Sequence, residues 1–336
     1  MRRVLNPPSS FQEAHLEWDG PAPPAELEIY EERAKSALAR NQSPDIPFEY
    51  SLNPYRGCFH ACAYCYARPT HEYLGFGAGT DFDRRIVVKT NIAARLRETF
   101  EKKSWRGEVI AFSGNTDCYQ PVEASYGLTR ACLQLCAEYR NPVGIITKST
   151  LIRRDAELLG RLAREASVRV SMSIAFADDA MARAIEPFAS SPTKRLSTVR
   201  RLTDAGVPVH VLLAPVILGL SESQVPEIVE RAAAAGARSA SLLSLRLAPV
   251  VRGVFEARLA EAYPLRAEKV RNAHAEGSGR ADRFHERMRG KGARWAMVEQ
   301  MFDKVCARVG LTPDRSEEMP AEESSFRRPR AQLELF

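Results

Sequence analysis

The sequence predicts a parallel α/β fold, and three observations carry that prediction. From Glu49 onward, short apolar runs rich in β-branched residues alternate with longer stretches of helical period. The alternation recurs six times over about 200 residues, as repeated βα units require. Glycines Gly206 and Gly236 stand just past two of the helical stretches, where a left-handed residue ends a helix.

The first strand is expected near "FEYSLN", and it feeds a cysteine-rich loop. An insertion around "GFGAGTDFDRRIVVKTN" precedes the helix "IAARLRETFEKK". Strand two is "GEVIAFSG", with a helix from Tyr126 to Tyr139; strand three is "VGIITKS", with a helix from Arg153 to Arg164. Strand four, "VRVSMSIAF", leads to a helix closed by Gly206, and strand five is "VPVHVLLAP". A helix from Gln224 to Ala235 ends at Gly236, and "ARSASLLSL" makes strand six. Such repetition fits a TIM-like barrel or an open doubly wound sheet. No GxGxxG follows the first strand, which counts against the dinucleotide-binding version.

Around this core, residues 1–45 read as an N-terminal extension with one helix at "PAELEIYEERAKSALAR". The core spans 46–250, a charged helical segment 251–312, and a tail 313–336 that composition marks as disordered. There is no basic start followed by an apolar run and no stretch long enough to span a bilayer, so a soluble, cytoplasmic protein without a membrane partner is expected. The net charge of +6 suits a phosphate-bearing partner without requiring one. In "RADRFHERMRGKGAR", residues 280–294, six basic residues face two acidic ones, with Phe284 inside and Trp295 just after. That run reads as a solvated helix face or as a grip on phosphates with an aromatic to stack a base.

Seven cysteines without a secretory signal argue against a disulfide framework. Cys132, Cys136 and Cys306 read as small buried apolar residues. Cys58, Cys62 and Cys65 differ, because the spacings x3 and x2 put three thiols in one tight loop. A structural zinc site needs four ligands and would have to borrow His60, His71 or a distant cysteine. A redox dithiol needs only Cys62 and Cys65 and leaves Cys58 unexplained. Three ligands on a cubane of four irons leave one iron open for a cosubstrate.

C-x3-C-x2-C with Tyr64 before the last cysteine, placed after the first strand of a βα series, resembles the signature of the radical S-adenosylmethionine superfamily. The resemblance implies a partial (β/α)6 TIM-like barrel whose 4Fe-4S cluster is held by Cys58, Cys62 and Cys65. It further implies S-adenosylmethionine as cosubstrate, cleaved reductively to a 5′-deoxyadenosyl radical, and an electron donor of flavodoxin or ferredoxin type. "SPDIPFEYSLNPYRGC", "CYARPTHEYLGFGAGTDFD" and "SGNTDCYQPVE" resemble a bacterial subgroup related to spore photoproduct lyase. By that likeness Thr116 and Asp117 fall where the methionyl amino group is held, and Lys148 and Ser173 where its carboxylate is held. Val216 and Ile217 fall at the adenine pocket or in ordinary barrel core, and Tyr64 packs by the adenine or fills the loop. The lyase's hydrogen-donating cysteine has no counterpart at Ser113 or Gly114; Cys118, a few residues on, is the candidate donor.

The terminal "QLELF" resembles the peptide by which bacterial repair proteins dock on the sliding clamp, through Gln332, Leu333, Leu335 and Phe336. With the basic segment, it leans toward a nucleic-acid substrate and DNA as partner. The alternatives are the same chemistry on a small molecule or protein, and a non-catalytic, metal-stabilised clamp-binding module.

Overall fold

The computed structural model describes residues 26–46, 48–277, 288–314 and 324–329. Its strands are β1 (Glu28–Glu32), β2 (Leu38–Arg40), β3 (Tyr50–Leu52), β4 (Tyr55–Arg56), β5 (Arg85–Lys89), β6 (Ile110–Phe112), β7 (Val143–Thr147), β8 (Val168–Ser173), β9 (Val209–Val216), β10 (Ser239–Ser244) and β11 (Thr312–Pro313). Its helices are α1 (Thr80–Arg84), α2 (Ile92–Glu101), α3 (Glu123–Tyr126), α4 (Leu128–Glu138), α5 (Ala156–Glu165), α6 (Asp179–Ile185), α7 (Pro192–Asp204), α8 (Val225–Ala234), α9 (Pro249–Ala262), α10 (Pro264–Gly277) and α11 (Gly292–Val309).

Strands β3, β6, β7, β8, β9 and β10 lie side by side in chain order, every neighbouring pair parallel. These are the six strands the sequence predicts. β2 adds antiparallel to β3 at one edge and β11 parallel to β10 at the other, and the two end strands do not pair, so the barrel is partial. Helices cover its outer face with apolar residues spaced three and four apart, among them Leu158, Leu159 and Leu162 of α5 and Leu196, Val199 and Leu202 of α7. Among the described residues no helix is long and apolar enough to cross a membrane.

The helix expected at "PAELEIYEERAKSALAR" does not form. Glu28–Glu32 instead pairs residue for residue with Arg85–Lys89, and Leu38–Arg40 with Tyr50–Leu52. Intrinsic helix preference is worth only tenths of a kcal/mol per residue, and the backbone hydrogen bonds of two available sheet edges outweigh it. The Asn91 side chain fixes the turn between the two strands by bonding both the N–H (2.8 Å) and the carbonyl (3.0 Å) of Ala34. The insertion after the cysteine loop therefore has a structural role: its β5 is the centre of a second sheet, ordered β1-β5-β4.

Two expected helices differ in detail. The one through Tyr126 is divided at Gly127, whose φ is 64°, and the one from Arg153 opens with a 3-10 turn over Thr150–Asp155. Within the segment whose composition reads as disordered, residues 324–329 lie along the core. Phe326 stacks on Tyr139 at 6.0 Å and meets Phe100 edge-on, while Arg328 donates to the carbonyls of Phe100, Lys102 and Trp105. Residues 280–287 of the basic run and all of "QLELF" lie outside the described residues. Trp295 beside that run is buried in the main core, so it is a packing residue.

Candidate active site

Gly57 opens the cysteine loop at φ +76°, where a Cβ would lie 2.9 Å from the carbonyl oxygens of Phe82 and Arg85. Conformation and space both demand glycine there. Three tight turns follow, closed by Ala61 N–H to Cys58 O (3.2 Å), Cys65 N–H to Cys62 O (3.2 Å) and Arg68 N–H to Cys65 O (3.3 Å). They carry the three thiols on one compact loop after β3, and all three are free. Cys58 and Cys62 are buried and Cys65 half-buried.

Burial pushes all three thiols up, with the Asp117 carboxylate adding to the effect at Cys58 and the Arg68 guanidinium opposing it at Cys65. Ligation to iron supplies the positive charge that lets such buried sulfurs ionise. Among the described residues no three His, Cys, Asp or Glu side chains gather closely enough to surround a single ion. A cubane instead takes its thiolates at separate corners, and three free thiols on successive turns suit that donor set.

Side chains from several parts of the barrel pin the loop. Arg68, 1 % exposed, donates to Cys62 O from Nε (3.1 Å) and Nη2 (3.0 Å), to the carbonyls of Ala78 and Gly79, and pairs with Asp83 at 2.9 Å. Gln120 accepts from Phe59 N–H (3.0 Å) and donates to Gly57 O (2.9 Å). His60 Nδ1 lies 3.3 Å from Asp117 Oδ2. His71 is fully buried against Phe76 and Phe82, and burial lowers its pKa to about 4.

Of the predicted cosubstrate residues, Lys148 and Ser173 lie at the C-terminal ends of β7 and β8, and Asp117 in the loop that follows β6. Asp117 accepts from Thr147 Oγ1 (2.8 and 3.0 Å), Lys148 N–H (2.8 Å) and Tyr119 N–H (2.9 Å). Burial works to raise its carboxyl, yet His60 and these donors hold it below the usual carboxylate range. Thr116 is buried and donates to Tyr55 O at 2.8 Å. Lys148 Nζ donates to Ser173 Oγ at 2.8 Å and stands 5.7 Å over the Tyr64 ring, while Ser173 Oγ donates to Ala214 O at 3.1 Å. A cation and a hydroxyl side by side are what a carboxylate asks for.

Two residues that the sequence reading missed complete this group. Tyr64 donates to Glu186, and Glu186 pairs with Arg195, whose Nη1 donates to Ser173 O at 3.0 Å. The result is a closed circuit from the cysteine loop through α6 and α7 to β8, β7 and back to Tyr64. Glu186 and Arg195 are buried to 1 % or less, so both charges depend on each other. Nothing local distinguishes them in sequence: Glu186 follows a helix in "AIEPF" and Arg195 sits in a helix full of basic residues.

Ile217 joins Cys62, Ala63 and Tyr64 in one apolar cluster, whereas Val216 belongs to the main core. Cys118 is fully buried in that main core too, with Tyr119 and Cys132; its N–H donates to Ser113 Oγ at 2.8 Å. Tyr66 is 59 % exposed beside the loop and donates to Gly114 O at 2.9 Å.

Residues 52–232 match the sequence profile described as the Radical SAM superfamily. An uncharacterised protein of Mycobacterium tuberculosis is 39 % identical over 268 residues, covering 78 % of each chain. One from Methanocaldococcus jannaschii is 30 % identical over 193 residues, covering 57 % of this chain and 69 % of its own. Among solved structures, spore photoproduct lyase complexed with dinucleoside spore photoproduct superposes with a TM-score of 0.62 at 16 % identity, covering 85 % of this chain and 81 % of that one. That likeness is one of fold.

Proposed function

Because the chain belongs to the radical S-adenosylmethionine superfamily, and is therefore an enzyme using that cosubstrate with a 4Fe-4S cluster, we propose that it removes a hydrogen atom from a nucleic-acid component. The reading as a non-catalytic module gives way to that membership. Cys58, Cys62 and Cys65 would hold three irons. Held there and reduced, the cluster would supply the electron for reductive cleavage of the cosubstrate.

The chain's own residues then have distinct tasks. Lys148 and Ser173 bind the methionyl carboxylate, and the Glu186–Arg195 pair holds Tyr64 and Ser173 in place behind them. Asp117 directs the backbone at Lys148 and Tyr119, and its carboxylate supplies the negative charge toward which the methionyl amino group is drawn. Ile217 packs with Tyr64 to cover the adenine. Burial of this group keeps water from a reactive radical. The single observation that carries the reading is the 2.8 Å pairing of Lys148 with Ser173 over the Tyr64 ring, one residue from Cys65.

A nucleic-acid substrate is supported by the fold shared with spore photoproduct lyase, by the net charge of +6, and by the basic run at 280–294. The sliding clamp is supported as a partner by "QLELF" itself. Residues 324–329, packed against the loops that precede β6 and β7, anchor the chain at the end of the barrel opposite the cysteine loop. A partner engaged there would leave the site open. Deuterium placed at sugar and base carbons of DNA, and its transfer into 5′-deoxyadenosine, tests the substrate: transfer supports it, and transfer only from small molecules or protein rejects it. Deleting Gln332–Phe336 and measuring binding to purified clamp tests the partner, which unchanged affinity or no affinity rejects.

A further inference from the structure

The helix-covered face of the barrel is apolar, but its concave face is not. Val168, Val170 and Met172 pack with Val209, Val211 and Leu213 beneath the helices. Strand alternation therefore turns Arg169, Ser171 and Ser173, with His210, Leu212 and Ala214, to the other side. Register aligns Ala111, Gly144 and Arg169 in one row of that face, and Ile146, Ser171, His210 and Ser239 in the next. Closed barrels of this architecture fill such rows with Val, Ile and Leu. Here small and polar residues dominate, and Gly144, Ile146, Ser171, Ser239 and Ser241 are only half-buried.

One imidazole stands in this face. His210 Nδ1 is 2.9 Å from Ser239 Oγ, and its Nε2 is 2.8 Å from Ser241 Oγ. Arg169 and Asp314 form an ion pair nearby, within electrostatic reach of the ring. Burial, reinforced by Arg169, lowers the His210 pKa to about 3, so the ring is neutral at neutral pH. A neutral imidazole has one N–H and one bare nitrogen. The serine that accepts from the N–H keeps its own O–H to give away; the other commits its O–H to the bare nitrogen and offers only lone pairs. Either tautomer thus yields one hydroxyl that donates and one that only accepts.

We propose that Ser239, His210 and Ser241 form the recognition element of a substrate pocket inside the barrel, specific for an uncharged ligand edge bearing both a hydrogen-bond donor and an acceptor, such as that of a nucleobase. Among the described residues Arg169, the cation nearest in register to His210, is already engaged by Asp314, which favours an uncharged ligand. Ser171, the register partner of His210, precedes Ser173 by two residues, about 7 Å along the strand. A ligand held at His210 therefore presents its opposite end to the level of Lys148 and Ser173. A wholly structural Ser–His–Ser unit would be shut from water, whereas Ser239 and Ser241 are only half-buried.

The inference rests on the proposed function, but its test reads binding alone, without reductant. The cluster-loaded full chain, labelled with 15N in its six histidine rings, is titrated with uracil and with 1,3-dimethyluracil, which has lost both N–H donors. The His210 resonances are assigned from the His210→Gln spectrum. Uracil is expected to shift the His210 ring nitrogens, and dimethyluracil to leave them in place. Ser239→Ala combined with Ser241→Ala should weaken uracil about tenfold. An equal response to both probes, a response to neither, or unchanged affinity in the double variant overturns the proposal. The wild-type comparison decides even where the double variant misfolds. S-adenosylmethionine cleavage, assayed separately on the same preparation, reports on the catalytic reading.

Discussion

The Arg68 guanidinium grips the carbonyl of Cys62 with two of its nitrogens, at 3.1 and 3.0 Å. The middle ligand of the cysteine loop is therefore held through its backbone by a charge that is itself buried, and that charge is matched by Asp83. Part of the loop's shape is thus set by the protein's own contacts.

Arg68→Met should remove this clamp while preserving side-chain bulk. It leaves the carbonyls of Cys62, Ala78 and Gly79 short of donors and Asp83 without its counter-charge. Unfolding free energy should fall by about 3–5 kcal/mol, and iron bound per chain after reconstitution should drop with it. Urea titration and iron assay check both; full iron loading in a variant of unchanged stability would show that the clamp is dispensable.

Lys148→Met and Ser173→Ala should each weaken S-adenosylmethionine without removing the cluster. Loss of a charge-assisted hydrogen bond to a carboxylate predicts weakening of about tenfold to a hundredfold. Equilibrium dialysis measures the affinity, and the cluster's visible absorbance monitors its retention. Loss of colour together with loss of binding would move Lys148 from cosubstrate contact to loop support.

Glu186 and Asp117 give the acid limb of the stability curve its sign. Burial works to raise both carboxyls, but Arg195 and Lys148 in one case and His60 in the other hold them below the ordinary range. Groups with a depressed folded pKa stabilise fully above the unfolded value and lose that contribution as pH falls through the folded one. Stability from this pair of carboxylates should be flat near neutrality and decline below the ordinary carboxylate range, near pH 4. Glu186→Gln should remove part of that acid limb and, by stranding buried Arg195, cost about 3–5 kcal/mol at pH 7. Urea midpoints between pH 3 and 7 check both.

Gly107 is shaped for residues 324–329. Its φ is +85°, and a Cβ there would lie 2.1 Å from Phe326 Cβ and 2.3 Å from Ser324 Oγ. Gly107→Val should expel the segment, and limited proteolysis should then cut near Phe326, a bond protected in the parent. An identical digestion pattern would show that the segment holds by other contacts.

The six core strands were legible because alternation and β-branched runs are local signals, and all six recur in the predicted order. The cysteine spacing was legible for the same reason. β1 was not: "EIYEE" has the composition of a helix, and only β5, more than fifty residues away, makes it a strand. The Glu186–Arg195 circuit escaped because its members come from five separate parts of the chain. The packing of Phe326 escaped because composition registers polarity but not the aromatic slot between Phe100 and Tyr139.

Anaerobic reconstitution with iron and sulfide, followed by reductant and S-adenosylmethionine, tests the central claim most directly. The protein should turn brown, bind iron and sulfide, and form 5′-deoxyadenosine, while alanine at Cys58, Cys62 and Cys65 should abolish both colour and product. Stoichiometric zinc without cleavage, or full cluster and product in the triple variant, would contradict the account.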